Sequence, residues 1–137
     1  MRNILVDTGA IVGLLNSRDR FHPQVERFFA EIRGADRLAT TWPVVTECTF
    51  ALVRNRDALF DWLLAGDIEI VDFGLDDVDV MRRWMDRYRD REVDFADASL
   101  VWLAARKNTN LIATTDFNDF ETYRLFNRQS FRILIER

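Results

Sequence analysis

The stretch Asp94–Asp119, DFADASLVWLAARKNTNLIATTDFND, decides how this chain is read. It opens with two aspartates three residues apart. A segment that is apolar or small on nearly every face follows: Ala98, Leu100, Val101, Trp102, Leu103, Ala104 and Ala105. A helix that is hydrophobic all round is a buried one, and an ionised carboxylate inside such a helix is costly unless it is paired or binds a metal. After the polar break Lys107–Asn110 comes a short apolar strand, Leu111–Ala113, ending in Thr114-Thr115-Asp116. Open α/β sheets bind their ligands beyond the carboxyl ends of strands, so both acidic positions fall where a site is expected. A helix cap or a turn would account for either aspartate taken singly.

The rest of the chain fits the same pattern. Ile4-Leu5-Val6 reads as a strand stopping at Asp7, with Thr8-Gly9 turning into the apolar run Ala10–Leu15. Asp7 is thus a strand-end carboxylate or a helix N-cap, since aspartate favours that place. Val25, Phe28, Phe29 and Ile32 recur at helical spacing, with Gly34 as the stop. The single histidine, His22, precedes Pro23 at that helix's entrance and reads as a cap or surface group rather than a ligand. Leu38-Ala39 suggests a strand, and Thr40-Thr41-Trp42-Pro43 a threonine-capped helix start. Glu47 lies in the first two turns of that helix, with Arg54 two turns further along the same face. A short helix over Asp57–Leu64 is expected to bury Leu59, Phe60, Leu63 and Leu64. The alternating Ile68–Val71 is a strand, and a helix opening at Asp76-Asp77 turns Val78, Met81, Met85 and Tyr88 inward. The arginines that follow, Arg87, Arg89 and Arg91, suit a helix C-terminus and read as a solvated face, with a phosphate-contacting stripe as the minor reading. Phe131–Ile135 closes the chain as a strand. Strands alternating with helices imply an α/β fold with a mainly parallel sheet covered on both faces.

Composition narrows the class. At 137 residues, 48% hydrophobic and with two prolines, the chain is expected to form one domain, residues 1–137, with its own core. One cysteine, Cys48, excludes an internal disulfide framework and points to a reducing compartment. No targeting segment or membrane-length apolar run is apparent, so a soluble cytosolic protein is expected. A net charge of −4 argues against simple electrostatic wrapping of nucleic acid. The basic residues are nonetheless almost all arginine, the better fork for phosphate, with Lys107 the only lysine.

Asp7, Glu47, Asp97 and Asp116 occupy comparable places, at strand ends or early in helices. Four such acids on one rim of a parallel sheet repel one another unless a cation neutralises them. An oxygen-only set without histidine or cysteine suits Mg²⁺ or Mn²⁺ better than zinc. Asp94 stands where the N-cap of its helix belongs, so capping is assigned to Asp94 and metal binding to Asp97.

Taken in order, ILVDTGAIVGLL, VVTECTFALVR, FADASLVWLAA and LIATTDFNDF resemble the successive motifs of PIN domains. They most resemble the VapC-type toxins of bacterial type II toxin–antitoxin systems. The resemblance runs from Ile4 to Ile135, and it is the order and spacing of the motifs that make it specific. It implies an α/β/α sandwich and a Mg²⁺- or Mn²⁺-dependent ribonuclease cutting RNA phosphodiesters. It also implies a homodimer silenced by a cognate antitoxin protein. Residue by residue, it makes Asp7, Glu47, Asp97 and Asp116 the metal-binding and catalytic acids. Thr8 matches the hydroxyl residue beside the first aspartate, and Asp119 sits where many relatives carry another acid. Arg54 is grouped with these two as support for the acids. Gly9 departs from the pattern, since relatives usually have serine there.

Two other readings stand beside this one: a PIN-type RNA-processing nuclease without an antitoxin, and a non-catalytic PIN-like or receiver-like binding module. A D-x-D phosphohydrolase is disfavoured because Gly9, not aspartate, follows two residues after Asp7. A receiver domain is disfavoured because Lys107 precedes the later strand instead of following it.

Overall fold

The computed structural model describes all 137 residues. Five strands, β1 (Arg2–Val6), β2 (Asp36–Thr40), β3 (Ile68–Ile70), β4 (Leu111–Ala113) and β5 (Arg132–Ile133), form one sheet in the order β3-β2-β1-β4-β5. Every pairing is parallel. Ile4, Leu5 and Val6 are all fully buried, as a strand covered on both faces requires. Seven α-helices connect the strands: α1 (Thr8–Leu15), α2 (His22–Ala30), α3 (Trp42–Ala51), α4 (Arg56–Leu64), α5 (Leu75–Met85), α6 (Phe95–Lys107) and α7 (Phe117–Thr122). The chain moves outward from β1 through β2 to β3, then crosses to β4 and β5 on the other side of β1. With the right-handed crossover that parallel strands favour, connections in two opposite directions put helices on both faces, as in an α/β/α sandwich. No helix is long and apolar enough to cross a membrane.

The interior is organised by α6. Nine consecutive residues, Ala96 to Ala104, are buried, and the helix packs against β1, α3 and α5. Asp94 caps it: its Oδ1 accepts the Asp97 backbone N–H at 2.8 Å. At its other end Asn108 adopts a left-handed conformation, φ 51°, a common way to end a helix.

Several expectations from sequence are corrected. Thr41 sits at the N-cap of α3, but its hydroxyl does not cap the helix; it meets the Ser99 hydroxyl at 2.6 Å, tying α3 to α6. Phe60 and Leu64 are exposed, at 42% and 84%, and only Leu59 of α4 is fully buried. A nine-residue helix can bury one side chain against α3 while leaving its own flank in solvent. Helix α3 ends at Ala51, so Arg54 lies in the turn beyond it instead of two helical turns along its face. His22 begins α2, with Nδ1 2.6 Å from the Gly13 carbonyl and Nε2 3.4 Å from Glu26, so it links α2 to α1.

Gly13 allows α1 and α2 to approach. A Cβ at this position would stand 2.7 Å from Cγ2 of Val25, which is fully buried and β-branched. Gly13→Ala is therefore expected to destabilise the fold by about 1–3 kcal/mol through overpacking, despite a helix-propensity gain of about 1 kcal/mol. Urea denaturation of Gly13→Ala in the wild-type and Val25→Ala backgrounds checks this. A penalty of the same size in both would mean that Val25 is not its cause.

Candidate metal centre

The site forms where the chain reverses direction across the sheet, at the carboxyl ends of β1 and β4. The Asp7 backbone N–H donates to the Ala113 carbonyl at 3.0 Å, so the last residue of β4 holds the residue after β1. Asp7 occupies the N-cap position of α1, yet its side chain makes no capping hydrogen bond. Its Oδ2 instead accepts from the Thr114 hydroxyl at 2.7 Å. The same Thr114 oxygen accepts the Asp116 backbone N–H at 3.0 Å, so one fully buried hydroxyl fixes two acidic positions.

The other acids are held in the same manner. Thr8 donates to Glu47 Oε1 at 2.7 Å, bringing α3 to the start of α1. Tyr123, just past α7 and 1% exposed, donates to Asp97 Oδ2 at 2.8 Å. Asp116 caps α7, accepting weakly from the Asp119 N–H at 3.4 Å. Carboxylate oxygens of Asp97, Asp116 and Asp119 lie within 4.8 Å of one another. Asp7, Asp97, Asp116 and Glu47 thus belong to one electrostatic cluster, with Asp94 beside Glu47 and Asp97. Arg54 is exposed and makes no ion pair or hydrogen bond to any of them.

No pattern in the sequence marks Thr114 or Tyr123 as part of the site. Thr114 lies inside the TTD turn and only its burial reveals its part. Tyr123 carries no local signal, because the fold alone brings it back to α6. Gly9 has a steric reason: a Cβ there would stand 2.2 Å from the Thr115 hydroxyl, so Thr115 fills the space a larger residue would need.

This arrangement is electrostatically unfavourable without a cation. Burial pushes the Asp7 carboxyl up to about 7, opposed by the Thr114 hydrogen bond and reinforced by Glu47 and Asp116. Burial, then the charges of Asp7, Asp94 and Asp116, push Asp97 up to about 8. Glu47 and Asp116 are raised too, first by partial burial and then by their acidic neighbours. The donors that hold the acids are neutral hydroxyls, which orient a carboxylate without removing its charge. An oxygen-rich, buried and mutually repelling set of this kind fits a hard divalent cation. Thiol chemistry is not offered, since burial pushes Cys48 up to about 12.

An acid whose folded-state pKa is raised contributes stability that is complete below its unfolded value and lost as pH climbs through the folded one. For Asp7 and Asp97 that window runs from the ordinary 3.8 up to about 7 and 8. In EDTA the melting temperature is therefore expected to fall between pH 5 and pH 8. Asp97→Asn should flatten that fall and raise Tm at pH 8, by about 3–5 °C for each kcal/mol relieved. Differential scanning calorimetry tests this; a level Tm across the window in the wild type would contradict the repulsion.

The chain matches the family model described as PIN domain over residues 4–124. A curated relative, Ribonuclease VapC26 of Mycobacterium tuberculosis, is 26% identical, and the match covers 96% of this chain and 99% of the relative. Among solved structures, the Mycobacterium tuberculosis sarcin–ricin loop cleaving toxin VapC20 superimposes with a TM-score of 0.73 at 22% identity, covering 84% of this chain and 91% of that one. VapBC2 of Rickettsia felis, crystallised with a DNA fragment from its promoter, gives a TM-score of 0.62 at 13% identity over 96% of this chain and 98% of that chain. With its acids gathered beyond the carboxyl ends of a five-stranded parallel sheet, and the family model running from β1 to just past α7, this chain belongs to the PIN domain family.

Proposed function

We propose that the protein is a Mg²⁺- or Mn²⁺-dependent endoribonuclease that acts as the toxin of a toxin–antitoxin pair. The observation that carries this reading is the convergence of Asp7, Glu47, Asp97 and Asp116 at one sheet edge, oriented by hydroxyls and left with uncompensated charge. These four would hold the ion or ions. When bound, such an ion acts as a Lewis acid toward a phosphodiester and lowers the pKa of a water at the site. The chain's own part is to hold ligand oxygens in place: Thr114 on Asp7, Thr8 on Glu47 and Tyr123 on Asp97. His22, the one histidine, is engaged with Gly13 and supplies no general base.

The VapC26 and VapC20 likenesses support RNA as substrate, and the VapBC2 likeness supports a cognate antitoxin as partner. A cytosolic setting fits the single buried cysteine. A homodimer is supported by the apolar side chains left in solvent on and around α3 and α4: Phe50 at 73%, Val53 at 55% and Leu64 at 84%. Phe28, by contrast, is buried in the core. A non-catalytic module is disfavoured because every acid of the set is retained. A processing nuclease without an antitoxin would use the same centre.

The test is cleavage of a mixed RNA substrate with Mg²⁺, Mn²⁺ or EDTA. Wild type should cut only with metal. Asp7→Asn and Asp97→Asn should lose cutting while remaining folded, and Thr114→Val and Tyr123→Phe should lose on the order of 10–100-fold in activity or metal affinity. A folded, antitoxin-free wild type that neither cuts RNA nor binds Mn²⁺ in calorimetry would overturn the nuclease. For the dimer, Phe50→Asp with Leu64→Asp should shift the mass measured by light scattering from two copies to one; an unchanged mass would place any interface elsewhere.

A further inference from the structure

Six carboxylates, Asp7, Glu47, Asp94, Asp97, Asp116 and Asp119, stand at or beside the centre. Of the nine ion pairs in the chain, only Arg91–Asp119 includes any of them. Arg91 Nη2 lies 2.5 Å from Asp119 Oδ1, and both side chains are 32% exposed. The segment carrying Arg91 is anchored to the centre. Its backbone N–H donates to the Tyr88 carbonyl at 2.9 Å. The Tyr88 ring packs edge-on to Tyr123 at 5.4 Å, and Tyr123 is the residue that holds Asp97.

A guanidinium has five N–H donors in a planar fork suited to phosphate, and Asp119 engages Arg91 through one nitrogen. RNA brings a negative charge with every phosphate toward a rim that is already acidic. Arg91, one-third exposed and the only cation ion-paired to these acids, is placed to receive one.

We infer that Arg91 binds a phosphate of the RNA substrate next to the metal centre, and that Asp119 is the anchor of Arg91 and not a ligand of the metal. The inference rests on the ribonuclease reading and names the residue that holds its substrate. Asp119 lies close enough to Asp97 and Asp116 to be counted with them as a ligand. One of its oxygens, Oδ1, is already engaged by a neighbouring arginine, whereas Asp97 and Asp116 are paired with no cation.

The experiment compares wild type, Arg91→Ala, Arg91→Lys, Asp119→Asn and the Arg91→Ala/Asp119→Asn double variant. Binding of a fluorescein-labelled single-stranded RNA of mixed sequence is followed by anisotropy over a salt series, with Ca²⁺ replacing Mn²⁺. Mn²⁺ binding is measured by calorimetry, and kcat and KM for cutting are determined in Mn²⁺. Arg91→Ala should weaken RNA binding about tenfold and reduce the salt slope by about 0.7, as the loss of one phosphate contact to a single strand predicts. It should raise KM more than it lowers kcat and leave Mn²⁺ affinity undiminished. Arg91→Lys should restore part of the loss. Asp119→Asn should share the RNA defect and keep its Mn²⁺, with the double variant no worse than Arg91→Ala alone. Unchanged RNA affinity and salt slope in Arg91→Ala would overturn the inference, as would loss of Mn²⁺ binding in Asp119→Asn. A wild type that neither binds nor cuts RNA would strike the ribonuclease reading itself.

Discussion

The structure depends on a repulsion that its own chain does not neutralise. Asp7 and Asp97, both buried, face each other's charge across the ends of β1 and α6. A fold under selection for stability alone would set an arginine between them. Here neutral donors hold them instead: Thr114 on Asp7 and Tyr123 on Asp97. Each hydroxyl fixes a carboxylate oxygen and brings no positive charge to offset the ionised form. The one arginine ion-paired to the cluster is kept at its margin, on Asp119. The result is a centre of mutually repelling acids that a bound cation would relieve, the pattern expected where stability is exchanged for function.

Topology makes that concentration of charge possible. Parallel strands all present their carboxyl ends to one edge, and β1 is central, with β2 on one side and β4 on the other. Loops leaving β1 and β4 diverge to opposite faces, and the crevice between them is where a ligand fits. The β1–β4 side supplies Asp7, Thr114 and Asp116. Helix α3, following β2, supplies Glu47, and α6 supplies Asp97 from a buried helix start. The Thr41–Ser99 hydroxyl contact joins these two helices directly, so the spacing of Glu47 and Asp97 does not rest on the sheet alone.

What was legible in the sequence follows from which signals are local. The strand–acid–helix order, the wholly apolar α6 and the Asp94 cap are short-range patterns, and they predicted the architecture and the rim on which the acids sit. The helix ends were less legible: α3 stops at Ala51, so the periodicity that seemed to carry Arg54 onto the face of Glu47 ends before it. Phe60 and Leu64 of α4 stand in solvent despite their apolar spacing, because hydrophobicity alone does not tell a core face from one left in solvent. The hydroxyls behind the acids were invisible for a different reason. Thr114–Asp7 and Tyr123–Asp97 bridge 107 and 26 residues of chain, and only the folded sheet puts them in contact.

The same distinction corrects the argument from net charge. A sum of −4 suggests a poor partner for RNA, but the sum mixes two populations. Six carboxylates are gathered at one centre, and without them the formal charge of the rest of the chain would be +2. Surface potential, not the total, governs the approach of a polyanion. Divalent cations bound among the six would remove much of the remaining repulsion, so the acidity that argues against RNA in the composition would serve a metal-dependent ribonuclease. Arginines outside the centre also divide. Arg82 and Arg83 are held by Asp79, and Arg89 faces Asp86, so these basic groups are largely cancelled within their own helix and the turn after it. Arg91 is paired across 28 residues to an acid at the acidic rim. Four arginines that look alike in the sequence therefore differ in what their partners leave free to face a substrate.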